Sequence, residues 1–327
     1  MTAISYANAD TNELGRYYPA ALPRSSGPIL AATDRTGASF SALRAARILN
    51  GSLHGAVTVL TVVEPLPLIV REPSSLLQPV VITPELLSVV RSQTLTQIQA
   101  VDGVLSGWSI EVEEGRPSRE IARAAATLGA RLVILGLNHH GIVDRLIDGD
   151  TAIELLRESD TPVLLASKGF SSLPRVVVVA VDFSPESMTA ARAAIPLLSE
   201  NSVVHLVHVR PSATIFDGSG LWVEEYERVA SRQLEQFRKA LDAPAGITIE
   251  FKLLVGKPAK TVAEFATSIG ADLIVSGTHG AGLMRRIFIG SVASGLLRRT
   301  ESSLLIVPIP GHNRAAEDGL TTKESKT

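Results

Sequence analysis

An internal repeat constrains the fold of this chain more than any other feature of its sequence. The segment that begins at Gly27, GPILAATDRTGASFSALRAARIL, matches the segment that begins at Pro174, PRVVVVAVDFSPESMTAARAAIPLL. Each contains an apolar run, then an aspartate (Asp34 or Asp182), a polar turn and an alanine-rich helical pattern. Self-similarity of this kind indicates repetition of one structural unit. A chain of 327 residues suits about two domains of roughly 150 residues each, so we predict two copies of one domain.

Two further blocks support the repeat. EGRPSREIARAAATLGARLVILG (residues 114–136) matches VGKPAKTVAEFATSIGADLIVSG (255–277), and DTPVLLAS (160–167) matches ESSLLIVP (301–308). The first of these blocks repeats at an offset of 141, whereas the two aspartates are 148 positions apart. We assign the difference to the long, proline-rich loop at residues 66–83 of the first copy.

The blocks predict a domain organisation. We expect flexible segments at both ends and a short linker that lets the two domains pack together, with boundaries at 1–26 (flexible), 27–167 (domain 1), 168–173 (linker), 174–309 (domain 2) and 310–327 (flexible).

Strand-like and helix-like patterns alternate within each copy. In the second copy we predict strands at 175–181, 203–209, 247–254, 273–276 and 304–307, and helices at 184–198, 221–241, 258–269 and 291–299. Ser184 or Ser187 is a candidate cap, and Gly270 a candidate C-terminal glycine. Apolar strands that alternate with helices are typical of parallel sheets covered on both faces. We therefore predict two tandem doubly wound α/β domains, each a five-stranded parallel sheet of order 3-2-1-4-5, packed as an internal pseudo-dimer through their fifth strands.

The loop after the fourth strand of the second copy carries a phosphate-binding pattern. It reads GTHGAGLMRRIFIGSVASGLL, with Gly277, then Gly280 after two residues, then Gly290-Ser291 after nine more. Glycines let backbone N–H groups approach phosphate oxygens closely. A helix N-terminus adds unpaired N–H donors and a partial positive charge. This loop is therefore suited to a polyphosphate.

The same glycine spacing is similar to the ATP-binding motif of the universal stress protein family. The segments VAVDFSPES, LVHV, GKPAKTVAEFA and SVASGLLRRTESSLLIV also resemble that family, and the resemblance covers nearly all of residues 27–309. It implies an ATP-binding, cytoplasmic protein with a regulatory or stress-response role. It also implies a site in domain 2, with Ala180, Val181, Asp182 and Val209 beside the adenine and ribose, and Gly277, Gly280, Gly290, Ser291 and Val292 around the ribose and phosphates.

The first copy departs from this pattern. Its loop reads GLNHHGIVDRLIDGDTAIELL from Gly136, so that Gly149 is kept while His139 replaces the middle glycine and Asp150 replaces the serine. We interpret Asp150 as a helix N-terminal carboxylate. A like charge in place of a hydrogen bond costs about 1–3 kcal/mol, or roughly ten- to a hundredfold in affinity. We predict that domain 1 binds ATP poorly or not at all, with Asp34, Val62, Gly136 and Gly149 as the residues of any weak site.

Several of these residues also have a purely structural interpretation. Asp182 could serve only as a turn former or helix cap. His205 and His208 fall at opposite parity in a predicted strand, and we interpret them as a satisfied core or interface pair. His279, inside the glycine loop, is a candidate phosphate contact, and Arg285 and Arg286 suit either phosphate or the surface.

Composition excludes several functions. The chain has no cysteine, which removes disulfides and thiolate chemistry, and its formal net charge of −2 gives no basic excess for nucleic acid. The densest apolar run, Val176 to Val181, is far shorter than the roughly 18 residues that span a bilayer. We therefore expect neither nucleic acid nor a membrane as a partner.

Three functions stay open from the sequence. The first is an ATP-binding regulatory protein with an unidentified protein partner, in which Mg²⁺ could accompany the nucleotide although no cluster of metal ligands is visible. The second is a slow Mg-dependent ATPase in which Asp182 or the ion orients water. The third is a nucleotide-free interaction module. The sequence shows no placed nucleophile or general base for dedicated catalysis, and it does not decide whether two chains form a homodimer.

Overall fold

The structure is a computed structural model that describes residues 26–37, 39–65, 82–102, 107–137, 144–210, 212, 220–278 and 289–308, with backbone alone at 102, 144–150 and 220–222.

In its first half, strands and helices alternate from the first strand onward. The elements are β1 (Ile29–Ala32), α1 (Ser39–Leu53), β2 (Val57–Val63), α2 (Pro84–Asp102), β3 (Trp108–Glu114), α3 (Pro117–Leu128), β4 (Leu132–Gly136), α4 (Asp144–Glu158) and β5 (Val163–Ala166).

The second half repeats this order. Its elements are β6 (Val176–Ala180), α5 (Pro185–Ala194), a 3₁₀ turn (Ile195–Leu197), β7 (Val203–Arg210), α6 (Gly220–Leu241), β8 (Thr248–Val255), α7 (Pro258–Ser268), β9 (Leu273–Gly277), α8 (Ser291–Leu297) and β10 (Ser303–Val307).

Local chemistry explains the ends of these helices. Of the two candidate caps, Ser184 caps α5, because its Oγ accepts the backbone N–H of Ser187 at 3.2 Å. The helix predicted through residue 198 instead becomes a 3₁₀ turn at Ile195, since Pro196 lacks the N–H that would continue it. Gly270 follows α7 at φ 62°, the left-handed conformation expected of a C-terminal glycine.

The two halves form one ten-stranded sheet of order β3-β2-β1-β4-β5-β10-β9-β6-β7-β8. Within each half the neighbouring strands are parallel, whereas β5 and β10 pair antiparallel where the halves meet, with Leu304 opposite Leu165. At this junction the buried backbone N–H of Ser167 donates to Ser303 Oγ at 3.1 Å. Helices cover both faces, so that alternate residues such as Val177 and Val178 enter separate apolar clusters. The α/β class predicted from the sequence is confirmed.

One predicted helix boundary is wrong. Helix α4 begins at Asp144, so Gly149 and Asp150 lie in its second turn and not at its N-terminus. A glycine inside a helix costs only about 1 kcal/mol, which is too little to end a helix that tertiary contacts hold. Glu154 of α4 provides such contacts, since it accepts the Ser118 hydroxyl at 3.0 Å and pairs with Arg116.

Candidate functional site

The predicted site residues of the second half meet where the sheet changes direction. Strand β6 lies between β7 and β9 and is parallel to both. The chain runs outward from β6 through β7 to β8 and returns to the other side of β6 as β9. Such a switch point opens a crevice at the carboxyl ends of the strands, where doubly wound sheets bind ligands. Asp182 follows β6 at this edge, and Gly277 ends β9.

A tight turn orients the half-buried Asp182. Its Oδ1 accepts the backbone N–H of Ser184 at 3.1 Å and also the Ser184 hydroxyl. Phe183, between them, has a φ of 63°, which is uncommon for a residue other than glycine. This is the aspartate turn that a carboxylate forms with the backbone two residues on. The turn former and the candidate ligand are thus the same side chain.

The first half forms the same turn. Asp34 Oδ1 accepts the backbone N–H of Thr36 at 2.9 Å and its hydroxyl at 2.7 Å, and Arg35 has a φ of 67°. Asp34 is exposed, unlike Asp182. The pattern of aspartate, any residue and a small hydroxyl side chain therefore produces one local geometry in both halves.

The start of α8 is tied to the end of β9. The Gly290 N–H donates to the carbonyl oxygen of Thr278 at 2.6 Å, and the Thr278 N–H donates to Val307 at 3.1 Å. Gly290 therefore uses its own N–H inside the fold. The first turn of a helix leaves N–H groups without intrahelical partners, here those that follow Gly290, and the Ser291 side chain is exposed. Gly280, His279, Arg285 and Arg286 lie outside the described residues.

Three of the predicted apolar residues share one face of the sheet. Val209 belongs to the cluster that includes Ile289, and Ala180 and Val292 pack against it half-buried. Val181 lies on the opposite face, in the cluster with Met188. The Val181 N–H donates to Val207 at 2.8 Å, and its carbonyl lies 2.7 Å from His208 Nδ1.

Sequence reasoning missed a column of rings beside this edge. His208 Nδ1 donates to the Val181 carbonyl, and its Nε2 lies 2.8 Å from the Tyr226 hydroxyl. Because a carbonyl can only accept, Nδ1 carries the proton and Nε2 accepts from Tyr226. The His208 ring centroid lies 4.4 Å from that of Phe183 and 6.1 Å from that of Tyr226. Burial lowers the pKa of His208, which favours the neutral ring that this pattern needs.

The corresponding edge of the first half contains a buried polar network. The Thr33 hydroxyl donates to Gln97 Oε1 at 2.6 Å, the Gln97 amide donates to Ser39 Oγ at 3.1 Å, and the Ser39 hydroxyl donates to the Thr36 carbonyl at 2.8 Å. Thr33 corresponds to Val181 of the second half, because each donates its N–H to the neighbouring strand in the same register. The network joins Gln97 of α2 to the aspartate turn, and its polar side chains are hydrogen-bonded to one another and to the Thr36 carbonyl. Val62 and Gly136 lie nearby at strand ends, half-buried.

The part of the chain that the structure describes contains neither a cluster of metal ligands nor a membrane-spanning helix. There, no group of three or more histidine, aspartate or glutamate side chains is arranged to hold a metal ion. Within the same residues, no helix is both long and apolar enough to cross a membrane.

Fold and site together define a tandem doubly wound α/β protein with an aspartate turn after the first strand of each repeat, β1 and β6. The chain belongs to the universal stress protein family, whose sequence profile matches residues 26–167 and again residues 174–308. The resemblance inferred from the repeat is therefore confirmed, together with the tandem arrangement.

The chain is also similar to individual relatives and to solved structures. A universal stress protein of Methanocaldococcus jannaschii is 30% identical over 144 residues, which are 42% of this chain and 85% of the relative. The crystal structure of a universal stress protein from Archaeoglobus fulgidus covers 88% of this chain and 97% of its own, with a TM-score of 0.57 at 21% identity. A universal stress protein crystallised in complex with cAMP covers 42% of this chain and 98% of its own, with a TM-score of 0.32 at 24% identity.

Proposed function

We propose that the second repeat binds ATP at the carboxyl edge of β6, β7 and β9, and that nucleotide occupancy gives the protein a regulatory or stress-response role. The observation that carries the proposal is the position of the Asp182 turn and the Thr278–Gly290 contact at the ends of adjacent strands. An aspartate and a glycine-bounded helix start thus flank one switch point, where ligands of doubly wound sheets bind.

The chemistry of the edge suits the parts of this nucleotide. The Asp182 carboxylate is an acceptor that the hydroxyls of a ribose can use. Ala180, Val209 and Val292 offer an apolar surface for the flat face of adenine. The exposed Ser291 hydroxyl and the N–H groups that follow Gly290 are donors for phosphate oxygens. Gly277, at the end of β9, lets the chain pass close to the ligand.

We infer that the first repeat lacks these phosphate donors. The reason is the position of Gly149 and Asp150 in the helix, whereas the sequence prediction relied on the negative charge of Asp150. Since α4 begins at Asp144, the N–H groups of Gly149 and Asp150 lie in the second turn of the helix. N–H groups inside a helix bond the carbonyls four residues earlier, and this leaves them unable to hold a phosphate. The buried network of Thr33, Ser39 and Gln97 also occupies polar groups at that edge.

Matched substitutions in the two repeats test the proposal by isothermal titration with ATP. Gly290 has a φ of −54°, which an aspartate adopts readily, and aspartate is a favoured N-cap. Gly290→Asp therefore keeps the helix and brings a negative charge to the phosphates. We expect ATP binding to fall at least roughly tenfold, while Gly149→Asp, the same change in the first repeat, leaves it unchanged.

Two results would contradict the proposal. Equal loss in both variants would place the nucleotide elsewhere, and full-length protein that takes up no ATP would favour an interaction module. Phosphate release measured on the same samples separates binding from turnover, because release that disappears in Gly290→Asp would identify a slow ATPase.

A further inference from the structure

Arg210, the last residue of β7, is a mostly buried cation whose positive charge is only weakly neutralised by nearby carboxylates. Only 12% of its side chain is exposed, and its nearest carboxylate, Glu227 Oε1, lies 3.9 Å from a terminal guanidinium nitrogen. Glu227 is itself 50% exposed, so water weakens this long contact. Among the described residues, the buried Nε of Arg210 has no hydrogen-bond partner. A donor is thus held out of water at the carboxyl edge of the sheet.

The fold does not need an arginine at this position. Arg210 and Val63 occupy equivalent places, since the carbonyl of each accepts the N–H of the glycine after the neighbouring strand, Gly256 at 3.0 Å and Gly115 at 3.1 Å. The first repeat therefore ends the same strand with an apolar residue. A buried charge without a good partner destabilises a protein, so a role in ligand binding accounts for the arginine better than packing does.

The side chains near Arg210 leave its charge largely uncompensated. Arg210 lies two residues after His208 and so on the same face of β7, and the Tyr226 hydroxyl bonds the His208 ring. The neutral His208 ring accepts from Tyr226 and adds no charge of its own. Glu227 is the one carboxylate that the described contacts bring to the guanidinium, and its exposure lets it move away.

We propose that Arg210 forms an anion-binding subsite at the end of β7 that takes a phosphate group, with Tyr226 beside it. Arginine presents several N–H donors in a planar fork that matches phosphate oxygens, and such charge-assisted bonds are the stronger kind. The phosphate comes either from a nucleotide bound at the same edge or from a separate phosphate ion. The subsite rests on Arg210 alone and does not require that the second repeat binds ATP.

The test is thermal unfolding of the full chain, titrated with sodium phosphate against sodium chloride of equal ionic strength. It is run on the Gly290→Asp protein, where the proposed ATP site is disabled, and on the unsubstituted protein. We expect phosphate to raise the unfolding midpoint in both, and Arg210→Val to reduce the apparent phosphate affinity at least roughly tenfold. Arg228→Ala, which removes an exposed charge from the same helix as Tyr226, should leave the phosphate effect intact.

The titration with sodium chloride measures how each substitution changes the stability of the fold in the absence of phosphate. Because valine is the residue of the first repeat, Arg210→Val should unfold at a midpoint no lower than that of the unsubstituted chain. A lower midpoint, matched by Glu227→Gln and insensitive to phosphate, would mean that Arg210 pairs with a carboxylate of its own chain, and would overturn the proposal. An equal phosphate effect with and without Arg210 would overturn it too.

Saturating ATP then distinguishes the two sources of phosphate. If ATP abolishes the phosphate effect and Arg210→Val weakens ATP binding, the subsite holds a phosphate of the nucleotide. If the phosphate effect persists with ATP bound, the subsite takes a separate ion.

Discussion

The Nδ1 of His208 lies 2.7 Å from the carbonyl oxygen of Val181. This hydrogen bond joins the end of β7 to the peptide that immediately precedes Asp182, and the Tyr226 hydroxyl fixes the other side of the ring. Thr61 is the first repeat's counterpart of His208, and it bonds Thr94 at 2.9 Å. The second repeat therefore supports its aspartate turn with a ring that the first repeat lacks.

Replacing His208 with threonine, its counterpart, should destabilise the protein and weaken ATP binding. The change removes both hydrogen bonds and leaves a cavity between Phe183 and Tyr226, so we expect a loss of about 1–3 kcal/mol in the free energy of unfolding. Tyr226→Phe keeps the ring and removes one donor, and should cost only about 1 kcal/mol. Urea denaturation measures the free energy of unfolding of both variants. Equal losses would show that the His208–Val181 bond contributes nothing.

Stability should fall as the solution becomes acidic. Burial lowers the pKa of His208 below its ordinary 6.5, with the Val181 bond and Asp182 opposing, and burial also lowers that of His205, with Glu250 opposing. The unfolded chain therefore binds more protons than the folded chain below about pH 6.5. The contribution of these neutral histidines is complete above that pH and is lost as pH falls through the folded pKa values. His208→Thr should flatten this dependence in urea midpoints measured between pH 5 and 8; an unchanged slope would contradict the assignment of His208.

Asp182→Asn separates the turn from the charge. The amide oxygen can still accept the Ser184 N–H, so we expect stability to change by less than about 1 kcal/mol. Loss of the carboxylate should weaken ATP binding by roughly tenfold. Asp34→Asn makes the same change in the first repeat and should leave ATP binding unaltered. Titration calorimetry compares the two, and an effect of Asp34→Asn as large as that of Asp182→Asn would argue for two working sites.

The buried network of the first repeat should be stabilising only when complete. Gln97→Leu removes the nearer of two acceptors of the Thr33 hydroxyl, Gln97 Oε1 at 2.6 Å against Ser39 Oγ at 2.8 Å, and should cost about 1–3 kcal/mol. Adding Thr33→Val, which introduces the residue type of Val181, should recover only part of that loss, because the hydroxyl that lost Gln97 is gone but the Arg35 N–H loses its acceptor. A double-mutant cycle in urea measures the recovery. If the two losses simply add, Thr33 and Gln97 are not coupled.

Much of the fold follows from local sequence signals. The predicted helix at 258–269 and the observed α7 (Pro258–Ser268) agree closely, since Pro258 begins the helix and Gly270 follows it. The start of α4 was predicted wrongly because it was transferred from the second repeat, where Gly290 has the extended conformation of a cap. Sequence similarity does not reveal that Glu154 contacts Ser118 and Arg116 and so holds α4 in place in the first repeat.

The parts of the site that were missed depend on distant residues. His208 and Tyr226 are 18 positions apart, and Thr33 and Gln97 are 64 apart. Periodicity indicates which face of an element is buried, but it does not identify which side chains on two packed elements meet. Arg210 Nε has no hydrogen-bond partner among the residues that the structure describes, and this too is visible only once the surroundings of β7 are known.

The most direct test of ATP binding by the second repeat is to denature the purified protein and identify the released nucleotide by mass, with its molar ratio to chain. We expect a single equivalent of ATP, lost in Gly290→Asp and retained in Gly149→Asp. Two equivalents would contradict the assignment of a silent first repeat. If no nucleotide is released and titration shows no binding, the second repeat does not bind ATP.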